Sequence, residues 1–376
     1  MRPLGIYVHV PFCERRCGYC AFNTYVLSDS GGTAATERYV AGAVAEIDLA
    51  DRSIGPDRPA LTSVFFGGGT PTMLTAAQIA TILDALRDRF ETDGELEVTI
   101  ESNPDGLVPG QLEGLHRAGA TRISFGMQSI RPRVLQLLDR THDPGRALQA
   151  VAEACSAGFD HVSLDLIYGT PGETAGDWAA TLDAALSTGV DHISAYALGI
   201  EPGTKLAARI RRGELPTPDG DEAADRYESA DARLHAAGFD WYEISNWARS
   251  AEARCRHNLL YWRNHDWWGV GPGAHSHLDG MRWWNHDAPG VWADAVLEGG
   301  SPAAGHEVLD DAQRRLEDLM LGIRLSDGWR LSPEGGGEAS LADGLVADGL
   351  VARRNGRVVL TRTGRILADQ VVRRLS

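Results

Sequence analysis

The sequence predicts an α/β fold, a partial (β/α)6 barrel followed by a C-terminal winged-helix-like α+β domain. Three observations carry this prediction. Six short β-rich apolar runs recur before residue 200, helical patterns separate them, and the rhythm then changes. Near-continuous apolar strands alternating with helices indicate a parallel sheet covered by those helices. Six units fall short of the eight in a closed barrel, so the barrel is read as partial.

The strands are "GIYVHV" (5–10), "LTSVFF" (61–66), "LEVTIES" (96–102), "RISFGM" (122–127), "HVSLDLIY" (161–168) and "HISAYAL" (192–198). Between them, "TAAQIATILDALRDRF" (75–90) and "DPGRALQAVAEACSAG" (143–158) repeat apolar residues at helical spacing. A charged helix at about 219–237 leads to "YEISNWA" (242–248) and a stretch rich in Trp, His and Gly. From Asp310 two helices precede "LVARRNGRVVLT" (350–361), which reads as a hairpin around an Asn-Gly turn. A last helix is expected over "RTGRILADQVVRRL" (362–375). The expected divisions are a barrel with the cofactor site (1–240), a Trp/His-rich connecting segment (241–300) and the winged-helix-like domain (301–376).

Composition narrows the function. Lys and Arg number 36 against 52 Asp and Glu, a net charge of −16 that opposes nucleic acid as a main partner. No apolar run is long enough for a membrane span, and the N-terminus shows no signal peptide, so a cytoplasmic protein is expected. Five cysteines, three of them crowded together, do not resemble a secreted disulfide framework.

Those three, Cys13, Cys17 and Cys20 in "CERRCGYCAFN", are spaced C-x3-C-x2-C just after the first strand. A zinc site would need a fourth ligand, for which His9 is the nearest candidate, and no second cysteine pair is present. Soft thiolates equally suit an iron–sulfur cluster. The loop's position places any such group at the C-terminal mouth of the barrel. "GGGTP" (67–71) follows the second strand, where glycines let the backbone approach a ligand closely. "GVGPG" (269–273) lacks the spacing and the following helix of a dinucleotide loop.

The cysteine motif resembles the signature of the radical S-adenosylmethionine (SAM) superfamily. "IYVHVPFC", "FFGGGTPT", "ESNPD", "RISFGMQS", "SLDLIYGTPGET" and "AYAL" extend the resemblance to the group of oxygen-independent coproporphyrinogen III oxidases (HemN) and HemW-type heme chaperones. It implies that Cys13, Cys17 and Cys20 hold a [4Fe–4S] cluster whose fourth iron is chelated by SAM. It further implies SAM contacts from Tyr7, Tyr19, Gly68, Gly69, Thr70, Glu101, Gln128, Arg140, Asp165, Ala197 and His275.

Within that group the oxidases carry one more cysteine where this chain has Phe22, and an N-terminal extension before the motif. "HNLLYW" (257–262) matches the chaperones' HNxxYW motif, so His257 is expected as a heme ligand. An imidazole there suits heme iron, with Cys255, His265, His275 and His277 as competitors. Seven of the ten tryptophans lie in 241–284, which would suit a flat macrocycle or form the core joining the domains. The resemblance thus implies heme transfer to acceptor proteins, respiratory ones among them, with porphyrinogen oxidation as the enzymatic alternative. A cluster-governed homodimer and a position at the membrane surface during delivery are also expected.

Overall fold

The computed structural model describes residues 2–331 and 337–376. The six expected strands are β1 (Leu4–Val10), β2 (Leu61–Gly68), β3 (Thr92–Ser102), β4 (Arg122–Gln128), β5 (His161–Tyr168) and β6 (His192–Ala197). They lie side by side in chain order and all parallel. The helices between them include α1 (Thr33–Ile54), α2 (Ala76–Arg89), α3 (Gln111–Ala118), α4 (Pro132–Leu137), α5 (Pro144–Ala157), α6 (Ala175–Ser187), α7 (Lys205–Arg211) and α8 (Gly220–Ala236).

Residues 241–300, expected as a connecting segment, add strands to both edges of this sheet. The short β7 (Asp240–Glu243) and β8 (Asn246–Ala248) extend it antiparallel beyond β6. The chain then crosses to the other edge through helix α9 (Arg256–Trp262) and lays β9 (Asp266–Val270) parallel to β1. The hairpin β10 (His275–Leu278) and β11 (Met281–Asn285), helix α10 (Pro289–Leu297) and β12 (Ala303–Val308) complete a 12-stranded sheet. The six expected parallel strands are all present, and β9 adds a seventh outside the six β/α units. The signal of β9, "DWWGV", was hidden in an aromatic stretch.

Residues alternate along the barrel strands, as the pleat requires. Val98 and Ile100, Ile123, Phe125 and Met127, Val162, Leu164 and Leu166, and Ile193 and Ala195 are buried in the core. Each contributes about 1.5–3 kcal/mol for a large side chain fully removed from water. The intervening positions face a cavity and are mostly polar.

The C-terminal module has its own core, in which Leu319, Ile323, Leu345, Val351, Val358, Leu360, Val371 and Leu375 meet. It comprises α11 (Asp311–Gly322), α12 (Glu338–Ala347) and the hairpin β13 (Val351–Arg354) and β14 (Arg357–Leu360). The hairpin turns at Asn355-Gly356, both at positive φ, as an Asn-Gly turn of this length demands. The single last helix expected over 362–375 is two, α13 (Arg362–Ile366) and α14 (Ala368–Leu375), broken at Leu367. Arg365 donates to both carboxylate oxygens of Asp231 on α8, at 2.7 and 2.8 Å, and Arg362 adds a third bond. This ion pair ties the module to the barrel.

Three of the seven tryptophans in 241–284 follow the core alternative: Trp247, Trp268 and Trp283 are buried, with Trp268 edge-on to Trp283 at 4.8 Å.

Candidate functional site

A cavity of about 540 Å³ opens at the C-terminal ends of β1–β6. Its wall is the inner face of the strands, read at every second residue: Thr99 and Glu101, Arg122 through Gln128, Ser163 to Ile167, and His192 to Tyr196. Cys13, Cys17, Tyr19, Cys20, Gly68, Gly69, Thr70, Glu101, Gln128, Arg140, Asp165 and Ala197 all line it. The structure thus brings together twelve of the fifteen residues named from sequence. The exceptions are Tyr7, His257 and His275.

The cysteine loop is held from several directions. Gly18 N–H donates to Leu138 O at 3.2 Å, and Leu206 N–H donates to Gly18 O at 2.8 Å. A Cβ at Gly18 would lie 2.5 Å from the Asp139 carboxylate, so a larger residue there would push that side chain aside. Arg140 donates to Gly126 O at 2.8 Å and points another N–H at Cys17 Sγ, 3.6 Å away. Thr70 Oγ1 lies 3.7 Å from Cys13 Sγ. Burial pushes the Cys13 thiol up to about 11.

The glycines of "GGGTP" serve a purpose beyond ligand approach. Gly69 and Thr70 N–H donate to Val10 and Phe12 O, both at 2.8 Å, and a Cβ at Gly69 would meet Phe12 O at 2.6 Å. The glycines therefore let the second loop close onto the first.

Gln128 has a positive φ of 62° beside a register shift between β4 and β5. A left-handed glutamine is uncommon, and here the bulge turns its side chain to the cavity. Burial pushes the Glu101 carboxyl up to about 8, and the neighbouring Asp165 charge adds to it. Burial raises Asp165 as well, against a 2.9 Å bond from Ser124 Oγ. Two acceptors thus face one space, ready for a cation or hydroxyl groups.

Tyr7 stands behind this wall, with its hydroxyl 3.0 Å from His9 Nδ1. His9 Nε2 meets Asn23 O at 2.9 Å, so the histidine weighed as a zinc ligand has both nitrogens engaged. Among the described residues no three His, Cys, Asp or Glu converge as ligands of one metal ion.

His257, expected as a heme ligand, lies behind the cavity wall. It is 0% exposed, with Nδ1 2.9 Å from Ser63 Oγ, Nε2 3.0 Å from Tyr261 Oη, and its ring stacked on Phe65. Both ring nitrogens are hydrogen-bonded in this arrangement. Helix α9 instead forms the cavity floor, to which Cys255 and Asn258 contribute. Glu97 fastens the start of this helix, accepting from Arg256 N–H (2.9 Å), His257 N–H (3.0 Å) and Cys255 Sγ (3.5 Å). Arg122, 1% exposed, bonds Ala253 O at 2.8 Å and lies 3.6 Å from Glu97. His192, missed from sequence, is held by Ser163 Oγ (2.7 Å) and Tyr242 Oη (2.8 Å). The signal for these lumen residues was the polar residue at every second position of otherwise apolar strands.

His275 lies outside the cavity wall. It is exposed at the start of β10, stacked on Trp284.

The model of the radical SAM superfamily matches residues 7–185. The heme chaperone HemW of Mycobacterium tuberculosis is 49% identical over 374 residues, covering 100% of this chain and 95% of that one. HemW of Bacillus subtilis is 32% identical, covering 97% of each chain. Among solved structures, the coproporphyrinogen III oxidase HemN of Escherichia coli superposes with a TM-score of 0.84 at 25% identity. That match covers 100% of this chain and 90% of HemN.

Proposed function

The chain belongs to the HemW-type branch of the radical SAM superfamily, and from that premise we propose that it is a heme chaperone. It binds heme and passes it to acceptor proteins, with a [4Fe–4S] cluster and SAM held in the barrel cavity. The observation that carries this reading is Phe22, 67% exposed at the cavity rim where the oxidase branch has a further cysteine.

The donor set fits the cofactors. Three thiols line one rim without meeting as ligands of one ion, which suits a cluster whose ligands belong to separate irons. Cys13, Cys17 and Cys20 would hold it, and the open fourth iron would take the amino and carboxylate groups of SAM. The cluster and SAM supply one-electron chemistry when bound. Glu101 would face the ammonium, Asp165 and Gln128 would orient polar groups of the nucleoside, and Arg140 would offset negative charge beside Cys17. Gly68, Gly69, Thr70, Tyr19 and Ala197 would shape the pocket around them. No described helix is long and apolar enough to cross a membrane. Respiratory acceptors, contact with a membrane surface during delivery and a cluster-dependent homodimer belong to the same proposal.

Porphyrinogen oxidation is the second reading, favoured by the full-length match to HemN. Anaerobic reconstitution with iron and sulfide followed by hemin titration separates the two. A Soret band and transfer to an apo-acceptor, without turnover of coproporphyrinogen III, are expected. Turnover with release of 5′-deoxyadenosine would reverse the assignment.

A further inference from the structure

A heme ligand must offer an accessible ring nitrogen beside a flat apolar surface, with cations nearby for the propionates. The histidines can be sorted by these criteria. His9, His192, His257 and His277 have both ring nitrogens engaged. His142 is buried against Met127 O. His116, His161, His235 and His265 lie at helix ends or strand starts on the side of the sheet opposite the cluster loop. His306 sits on the outer edge strand β12. Only His275 and His286 remain beside the mouth, and His286 is half-buried.

His275 is exposed, and its ring makes no hydrogen bond among the described residues. Its imidazole stacks on Trp284, with centroids 5.9 Å apart and planes at 28°, which fixes the ring while leaving its edge open. The ledge beneath it is rigidly held. Glu46, a buried carboxylate on α1, accepts from Gly271 N–H (2.8 Å), Asn285 Nδ2 (2.7 Å) and Trp292 Nε1 (2.7 Å).

The same ledge is joined to the cysteine loop. Asn23 Nδ2 donates to Pro272 O at 3.2 Å and to Asp287 O at 2.8 Å, and Tyr25 Oη donates to Asp287 O at 3.1 Å. Next to Asn23 stands the exposed Phe22, and Arg15 and Arg16 are exposed on the same rim. Two adjacent arginines and a bare phenylalanine thus stand together on one rim. A planar, apolar dianion is complementary to them.

We propose that heme binds on this rim, between the cysteine loop and the β10–β11 hairpin, with His275 as the axial ligand, the macrocycle over Phe22, and the propionates toward Arg15 and Arg16. This rests on the chaperone reading and names the site that the reading needs.

The test is hemin titration of the full-length, cluster-loaded protein, read by Soret absorbance and resonance Raman. The wild type should give a histidine-ligated spectrum. His275→Ala should keep its iron content and cluster absorbance, shift the Soret band, and bind hemin at least about tenfold more weakly. Added imidazole should restore the band. Arg15→Gln with Arg16→Gln should weaken binding without changing the ligand spectrum. An unchanged spectrum and affinity in His275→Ala would overturn the assignment, as would their loss in His286→Ala or His306→Ala instead. A wild type that binds no hemin would overturn the chaperone reading and this site together.

Discussion

The mouth and the floor of one cavity are built on opposite rules. At the floor most strong polar groups are shared out: Glu97 receives two backbone N–H groups and a thiol, and His192 and His257 each engage both nitrogens, while Arg122 keeps Nε and Nη1 without a hydrogen-bond partner beside Glu97. At the mouth, Phe22, Arg15 and His275 are exposed, and neither Arg15 nor the His275 ring makes a side-chain hydrogen bond among the described residues. The difference separates polar residues that keep a shape from polar residues that await a ligand. A buried group left unbonded costs stability, so the bonds made at the floor support the fold. Water satisfies the mouth until something better arrives.

This contrast can be broken at either end, and the largest effect belongs to the floor. Glu97→Ala removes the counter-charge of the buried Arg122 and the acceptor for the start of α9. It should lower stability by about 3–5 kcal/mol in urea unfolding. His257→Ala leaves Ser63 and Tyr261 without a partner and opens space beside Phe65. A loss of about 2–3 kcal/mol is expected, with the Soret band of bound heme unmoved. A changed ligand spectrum with stability intact would sink the floor role.

Between floor and mouth lies Glu101, whose carboxyl is raised to about 8. Below that value it is mostly neutral, so a cationic ligand that needs the carboxylate must displace a proton. SAM affinity should therefore fall roughly tenfold per pH unit below 8. Glu101→Gln should flatten that slope in calorimetry across pH 6–9. The smallest effect belongs to the mouth: Phe22→Ala should change stability by no more than about 0.5 kcal/mol by thermal melting. A larger loss would place Phe22 in the core rather than at a binding rim.

The barrel was readable because strands such as "HVSLDLIY" announce burial under helices, and the cysteine spacing pointed to the mouth. The lumen was readable too, though in a weaker signal. Ser163 and Asp165, or His192 and Ser194, interrupt the apolar runs at period two, which marks the inner face once a barrel is assumed. Three things were not legible. Trp267 and Trp268 look like ligand-binding aromatics until β9 is seen pairing with β1, which needs a contact from the far end of the barrel's sequence. His257 carries the residue type of a ligand, while its two partners, Ser63 and Tyr261, come from separate elements. Glu46 reads as a surface residue of a helix, yet the fold wraps three donors around it.

Strand β1 sits between β2, which follows soon after it, and β9, made only after the rest of the barrel. A nascent chain that has emerged through α8 already carries all three cluster thiols. It nevertheless has β1 bare on one side, and neither α9 beneath the cavity nor the Glu46-held ledge beside it. Long-range pairing of this kind is slow to form and leaves an open edge during synthesis. Cofactor loading therefore belongs after α9, β9 and the ledge have been made, and a chain truncated before residue 256 would expose its cysteines without a chamber to receive the cluster.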